Sequence, residues 1–161
     1  MMDFAGLLKA LSEGAVKYIL IGGVAAAVHG SSRLTQDVDI VYERTPDNLE
    51  RLARALAPYD PYLRGAPRGL PFRWSSETLS SGLNFTLMTS LGDIDLFAEV
   101  AGGGTYQSLL RESISLRIFG LDCLCVTLPR LILLKRAAGR PRDLEAIAEL
   151  EAILEETSGE H

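Results

Sequence analysis

Cysteine, long apolar runs and positive charge are all in short supply in this chain of 161 residues. There are two cysteines, two histidines and one tryptophan. Cys123 and Cys125 stand two apart in an apolar stretch that reads as a strand. That spacing puts them on one face without closing a disulfide, and no other Cys or His group has ligand spacing. A zinc site and a disulfide framework are therefore excluded, and the cysteines are expected to pack in the core. The longest apolar run, over residues 18–28, contains Gly22 and Gly23 and falls well short of the roughly 20 residues a membrane helix needs. The N-terminal residues carry Asp3 and Lys9 within helical spacing, unlike a signal peptide. A reduced, cytoplasmic protein with no membrane role is expected. Sixteen Lys and Arg stand against 21 Asp and Glu, for a net charge of −5. No global field exists to hold long nucleic acid, so any such contact must use a local patch.

The remainder is ordinary for a globular protein, at 47% hydrophobic and 23% charged. The length suits a single domain over 1–161, with a core over about 18–127 and helices over about 128–156. Phe4, Leu7, Leu8 and Leu11 have helical spacing. Tyr18–Ile21 reads as a buried strand, ended by Gly22-Gly23, with an alanine-rich helix over 24–29. Asp37–Tyr42 reads as a strand with a polar start. Thr45-Pro46-Asp47 starts a helix, with Pro46 at its first position. Pro58, Pro61, Pro67 and Pro71, with Gly65 and Gly69, mark a long loop. Strands are expected over 83–88 and 94–100, a hairpin around Gly120-Leu121-Asp122, and helices from Leu128 and from Pro141. The order indicates an α/β or α+β fold with a mixed sheet flanked by helices and a C-terminal helical pair.

Asp37 and Asp39 carry the strongest chemical signal. Strand period two puts both carboxylates on one face, about 7 Å apart. Val38, Ile40 and Val41 around them are apolar, and two anions beside a core repel unless a cation lies between them. Mg²⁺ takes oxygen ligands and favours a few carboxylates plus phosphate oxygens. Asp93 and Asp95 share a face in a later strand. If that strand lies beside Asp37–Tyr42, Asp95 completes a triad, although Asp93 is an alternative third ligand. Gly22-Gly23 between a strand and a helix lets backbone approach a phosphate.

Ile21-Gly22-Gly23-Val24-Ala25, Asp37-Val38-Asp39-Ile40 and Ile94-Asp95-Leu96 together resemble the signature of the nucleotidyltransferase superfamily, which has the DNA polymerase beta-like fold. The stretch with Ala25, His29-Gly30, Arg33, Thr35 and Asp37 resembles the AbiEii-like toxin nucleotidyltransferases and related minimal members. Residues 134–144, with Lys135 and Arg136, are similar to their C-terminal signature. The resemblance implies a Mg²⁺-dependent enzyme, with Mn²⁺ as a substitute, that moves an NMP from an NTP to a tRNA 3′ end or a protein hydroxyl. A cognate toxin or antitoxin partner is implied with it. Asp37, Asp39 and Asp95 would be the catalytic metal ligands, with Asp95 also placed to act as a base. Gly22, Gly23, Arg33 and Lys135 would bind the nucleotide. Many members carry Gly-Ser where this chain has Gly22-Gly23, which leaves backbone amides, or Ser31 and Ser32, to meet a phosphate. The rival reading is a nucleotide-binding or partner-regulating module of the same fold with weak catalysis.

Other residues have two readings each. His29 is either a phosphate contact or a helix-end residue. Thr35 is a ligand contact or a local cap. Arg136, Arg140 and Arg142 make, with Lys135, the concentrated basic stretch, and Asp143 suits the first turn of a helix. Tyr59, Tyr62, Phe72 and Trp74 could stack on a base or pack the proline-rich loop onto the core.

Overall fold

β1 (Tyr18–Ile21) is buried along its whole length, as expected of a strand covered on both faces, and a seven-stranded sheet is built outward from it. The structure is a computed structural model that describes residues 2–159. Its helices are α1 (Phe4–Glu13), α2 (Gly22–Val28), α3 (Pro46–Leu56), α4 (Ser76–Ser81), α5 (Tyr106–Leu110), α6 (Leu128–Ala138) and α7 (Pro141–Gly159). Besides β1 the strands are β2 (Asp37–Tyr42), β3 (Tyr62–Leu63), β4 (Phe85–Thr89), β5 (Gly92–Phe97), β6 (Glu99–Val100), β7 (Gly104–Thr105), β8 (Ser113–Ile118) and β9 (Leu121–Val126). The large sheet runs β3-β4-β5-β2-β1-β9-β8, and β6 and β7 form a separate small ribbon. β2–β5 and β1–β9 are parallel and the other pairs of the large sheet antiparallel, so it is mixed, as the element order implies.

β2 and β5 show how the sequence sorts itself between two faces. Val38, Ile40, Ile94 and Leu96 are completely buried, while the intervening Asp37, Asp39, Asp93 and Asp95 keep partial exposure. One face of this parallel pair therefore closes the core and the other presents four carboxylates. α3 starts as its sequence indicates: Thr45 accepts the Asn48 N–H and Pro46 occupies the first turn. Asn48 is fully buried beside it. Its side-chain oxygen accepts the Lys17 N–H at 2.7 Å, and its amide donates to the carbonyls of Lys17 at 3.0 Å and Glu43 at 2.7 Å. This residue ties the start of β1 to the end of β2.

Several boundaries differ from the sequence reading. The helix expected from Val24 begins at Gly22, because Gly22 takes the left-handed φ of +69° and lets the chain turn straight out of β1. The strand expected over 94–100 is broken at Ala98: β5 ends at Phe97 and β6 joins the ribbon with β7. The proline-rich stretch, expected to be all loop, contains a 3₁₀ turn (Ala57–Tyr59), the edge strand β3 and, beyond it, α4. Its aromatics pack. Tyr62 is buried, donates to the Pro67 carbonyl at 2.6 Å and meets Phe72 edge-on, while the Trp74 indole donates to Ala53 at 2.7 Å. Cys123 and Cys125 are buried and free, as the core reading requires.

Candidate functional site

The parallel register of β2 on β5 sets the site. Asp37 stands opposite Asp93 and Asp39 opposite Asp95, so the four acids form two adjacent rows on one face. One carboxylate oxygen each from Asp37, Asp39 and Asp95 lies within 4.8 Å of the others. Asp93 is outside that group. Such crowding has an electrostatic consequence. Burial, the charges of Asp37 and Asp95, and a hydrogen bond with Asp95 push the Asp39 carboxyl up to about 8, against the opposing pull of Lys135. Asp37 is also raised, by burial and by Asp95, with Arg64 and Arg142 opposing. Three hard oxygen donors crowded in this way could hold a divalent metal ion, whose charge would offset their mutual repulsion.

The glycine turn packs directly on this acid row. A β-carbon at Gly22 would collide with the Asp39 carboxylate, and one at Gly23 with the Thr35 hydroxyl. Position 23 therefore has no room for a serine while Thr35 stands there. Thr35 in turn donates to the Asp37 carbonyl at 3.1 Å, which braces the loop leading into β2. Its local role is thus the one the structure displays.

A cleft of about 390 Å³ opens over the triad, and its lining includes Gly23, Arg33, Lys135, Arg140 and Arg142. The sequence candidates Arg33 and Lys135 are therefore brought to the same cleft as Asp37, Asp39 and Asp95. Lys135 reaches it from α6, mostly buried, with its ammonium 3.7 Å from Asp143. Asp143 lies in the first turn of α7 and accepts from the Arg140 backbone N–H at 3.2 Å and its Nε at 2.7 Å. Burial acts to raise the Asp143 carboxyl, but the hydrogen bonds and charge of Arg140, with Lys135 behind, outweigh it and hold it low. Asp143 is thus a helix-start carboxylate that also anchors two cations at the cleft. Gly139, in the left-handed conformation, ends α6 and turns the chain into α7 so that these groups converge.

Four sequence candidates are engaged by other partners, although Ser31 also lines the cleft. Ser31 and Ser32 both bind the Glu149 carboxylate on α7, so the hydroxyls offered as phosphate contacts are engaged in joining the loop to that helix. The His29 imidazole is 2.7 Å from the Val126 carbonyl, which fixes α2 to β9 rather than meeting the cleft. Arg136 pairs with Glu151 on the exposed side of the helical pair.

The residue that sequence reasoning missed is Arg64. It follows β3 in the proline-rich stretch, and its guanidinium enters the acid row: Nη2 is 2.7 Å from Asp95, Nε 3.2 Å from Asp93 and Nη1 3.8 Å from Asp37. The signal for it is faint, an arginine after Tyr62-Leu63 in a segment otherwise punctuated by proline and glycine.

No protein-family model matches the chain, and no curated protein matches its sequence. Solved structures do match. The crystal structure of the lincosamide antibiotic adenylyltransferase LnuA, bound to lincomycin, superposes with a TM-score of 0.62 at 15% identity, covering 94% of this chain and 98% of that one. A candidate nucleotidyltransferase from Thermotoga maritima superposes at 0.54 with 12% identity, covering 93% and 89%. An antigenic nucleotidyltransferase-like protein from Paracoccidioides brasiliensis gives 0.54 at 18% identity, covering 91% and 72%. The chain has a nucleotidyltransferase fold. At these identities the likeness fixes the architecture, and the chemistry rests on the triad and its cleft. In this nucleotidyltransferase fold the acids occupy the two paired strands β2 and β5, the glycines the turn before α2, and the cations α6, α7 and the loop before β2. No described helix is long and apolar enough to cross a membrane.

Proposed function

We propose that the protein transfers a nucleoside monophosphate from an NTP to an acceptor hydroxyl, with Mg²⁺ or Mn²⁺ as cofactor, and releases pyrophosphate. The observation that carries this reading is the convergence of three carboxylate oxygens within 4.8 Å of one another beneath a cleft shared with Arg33, Lys135, Arg140 and Arg142. A metal bound there would supply Lewis-acid stabilisation of the charge on the phosphates and activation of the attacking oxygen. Asp37, Asp39 and Asp95 would hold it. Asp95 would also accept the acceptor's proton. Gly22 and Gly23 would present bare backbone to the triphosphate, with Arg33 and Lys135 meeting its charge. The whole chain would act as one domain, with its C-terminal helices supplying the cations.

The acceptor separates two readings. The AbiEii-like resemblance points to a tRNA 3′ end or a protein hydroxyl, in a cytoplasmic toxin–antitoxin setting with a cognate partner. A small hydroxyl-bearing acceptor is favoured by two observations. LnuA, solved with lincomycin, is matched over 98% of its length. A second cavity of about 280 Å³ adjoins Asp39 and Lys135 and is walled by Val100, Leu131 and Leu134. That size and mixed lining suit a compact amphipathic molecule.

Transfer of label from each of four α-labelled NTPs to total tRNA, lysate protein and lincomycin, with Mg²⁺ or Mn²⁺, tests the reading. Wild type should label one of these pools and Asp39→Ala none. If wild type labels nothing and Asp39→Ala binds nucleotide as well as the parent, the enzyme reading fails and the weakly catalytic binding module replaces it.

A further inference from the structure

We infer that Arg64 is the positioning residue of the acid triad, and that Asp93 serves as its counter-ion rather than as a metal ligand. This rests on the metal site proposed above. The inference begins with sheet register. Leu63 of β3 pairs with Leu87 of β4, and the ladder continues one residue further, with the Arg64 N–H donating to the Thr86 carbonyl at 2.9 Å. Thr86 pairs with Asp95, and Asp95 with Asp39. Arg64, Thr86, Asp95 and Asp39 therefore stand in one row across four strands. Side chains in such a row share a face, and neighbouring strands are about 4.8 Å apart. Arginine is long enough to span the small Thr86 and reach Asp95.

The guanidinium is then fixed from two sides. Nη2 donates to the Leu87 main-chain carbonyl at 2.8 Å and to Asp95 Oδ1 at 2.7 Å. Nε is buried and 3.2 Å from Asp93 Oδ2, without the alignment of a hydrogen bond, so Asp93 acts on it through charge. Asp37 is more distant, at 3.8 Å. One oxygen of Asp95 is thus held by Arg64, which orients the carboxylate toward Asp39. The carbonyl of Leu87 and the charge of Asp93 remain available to Arg64 whatever the triad binds. Asp93 sits at the head of β5 and is the more exposed of the two β5 acids, with 39% of its side chain accessible against 17% for Asp95. A guanidinium fork suits this task because it meets a carboxylate and a carbonyl in a fixed plane, which a lysine ammonium does not.

The test compares Arg64→Met, Arg64→Lys, Asp93→Asn, Asp95→Asn and the Arg64→Met/Asp93→Asn double variant. Four quantities are read: Mn²⁺ binding by electron paramagnetic resonance, kcat and KM for transfer, and the thermal midpoint of the metal-free protein. Arg64→Met should lower kcat by about 10–100-fold, the range for residues that orient metal ligands, with a much smaller change in the KM for NTP. Arg64→Lys should recover part of the loss. Asp93→Asn should keep the Mn²⁺ stoichiometry that Asp95→Asn loses. The double variant should be no slower than Arg64→Met, since Asp93 acts only through Arg64. Three results overturn the inference: loss of Mn²⁺ in Asp93→Asn equal to that in Asp95→Asn, additive effects in the double variant, or an unchanged kcat in Arg64→Met. If Arg64→Met does not fold, Arg64→Lys and Asp93→Asn still decide. A wild type that binds Mn²⁺ but transfers no label to any acceptor sinks the proposed activity alone. In that case the Mn²⁺ arm and the metal-free double-variant cycle still judge Arg64: an Arg64–Asp93 coupling in thermal midpoint supports it, and independent effects refute it.

Discussion

The two halves of the cleft are built differently. The acidic half stands on β2 and β5, where parallel pairing fixes Asp37, Asp39, Asp93 and Asp95 relative to one another before any other packing is considered. The cationic half is gathered from a loop, two helices and an edge segment: Arg33, Lys135, Arg140 with Arg142, and Arg64. A sheet register admits no partial error, because a one-residue slip sends every side chain to the other face. Helix packing and ion pairs tolerate adjustment. Substitutions of the triad Asp37, Asp39 and Asp95 are therefore expected to abolish function, and those of the cations, or of Asp93 behind Arg64, to grade it.

The largest effect is expected at Asp39. Asp39→Asn should lower transfer by on the order of 10³-fold or more, as removal of a preorganised charge at a reacting centre does. A thermal midpoint at or above that of wild type should accompany the loss, since the substitution relieves the crowding that holds Asp39 near about 8. A variant that is inactive because it has unfolded would break the comparison. Next comes Lys135→Ala, expected to cost about 10–100-fold in turnover while Mn²⁺ binding survives. Asp143 keeps Arg140 in that variant and so is not left unpaired. Equal damage to Mn²⁺ binding would show that the two halves do not act separately.

A third effect concerns stability alone. Asn48→Ala removes all three hydrogen bonds of a fully buried side chain and strands the Lys17 and Glu43 groups, at a cost of about 3 kcal/mol in chemical denaturation. Metal binding should be unaffected, because Asn48 secures the far end of β2. The smallest effect is in pH. Because the folded protein holds the Asp39 proton up to about 8, it binds more protons than the unfolded chain between the ordinary carboxylate range and that value. The Asp39 contribution is therefore fully present below the unfolded pKa and is lost as pH rises toward 8. Asp37 acts in the same direction, and Asp143, held low, acts in the opposite one at acid pH. Thermal midpoints in EDTA should fall between pH 5 and pH 8 more steeply in wild type than in Asp39→Asn, with Mg²⁺ flattening the difference.

The acidic half was also the legible half. Period-two spacing put Asp37 and Asp39 on one face, and the conditional placement of Asp95 beside them was met by the register. Asp93 and Asp95 could not be separated in sequence, because both lie on the same face of β5 and the difference arises from which row each joins. In sequence the glycine pair makes way for phosphate. The structure adds that Gly22 makes way for Asp39 and Gly23 for Thr35, contacts between elements that no local pattern encodes. Arg64 was illegible for a related reason. The strand it follows is two residues long and lies among prolines, so it carries no period, and the importance of Arg64 comes from a row across the sheet whose order only the folded chain reveals. The pairing of Ser31 and Ser32 with Glu149 is illegible in sequence because that residue is far along the chain on α7.

A crystal soaked with Mg²⁺ and a non-hydrolysable NTP tests the central claim most directly. The account predicts a cation ligated by Asp37, Asp39 and Asp95, a triphosphate beside Gly22 and Gly23 that meets Arg33 and Lys135, and Arg64 still on Asp95 and Asp93. A nucleotide bound away from the three carboxylates, or a cation ligated by Asp93 in place of Asp95, would contradict it.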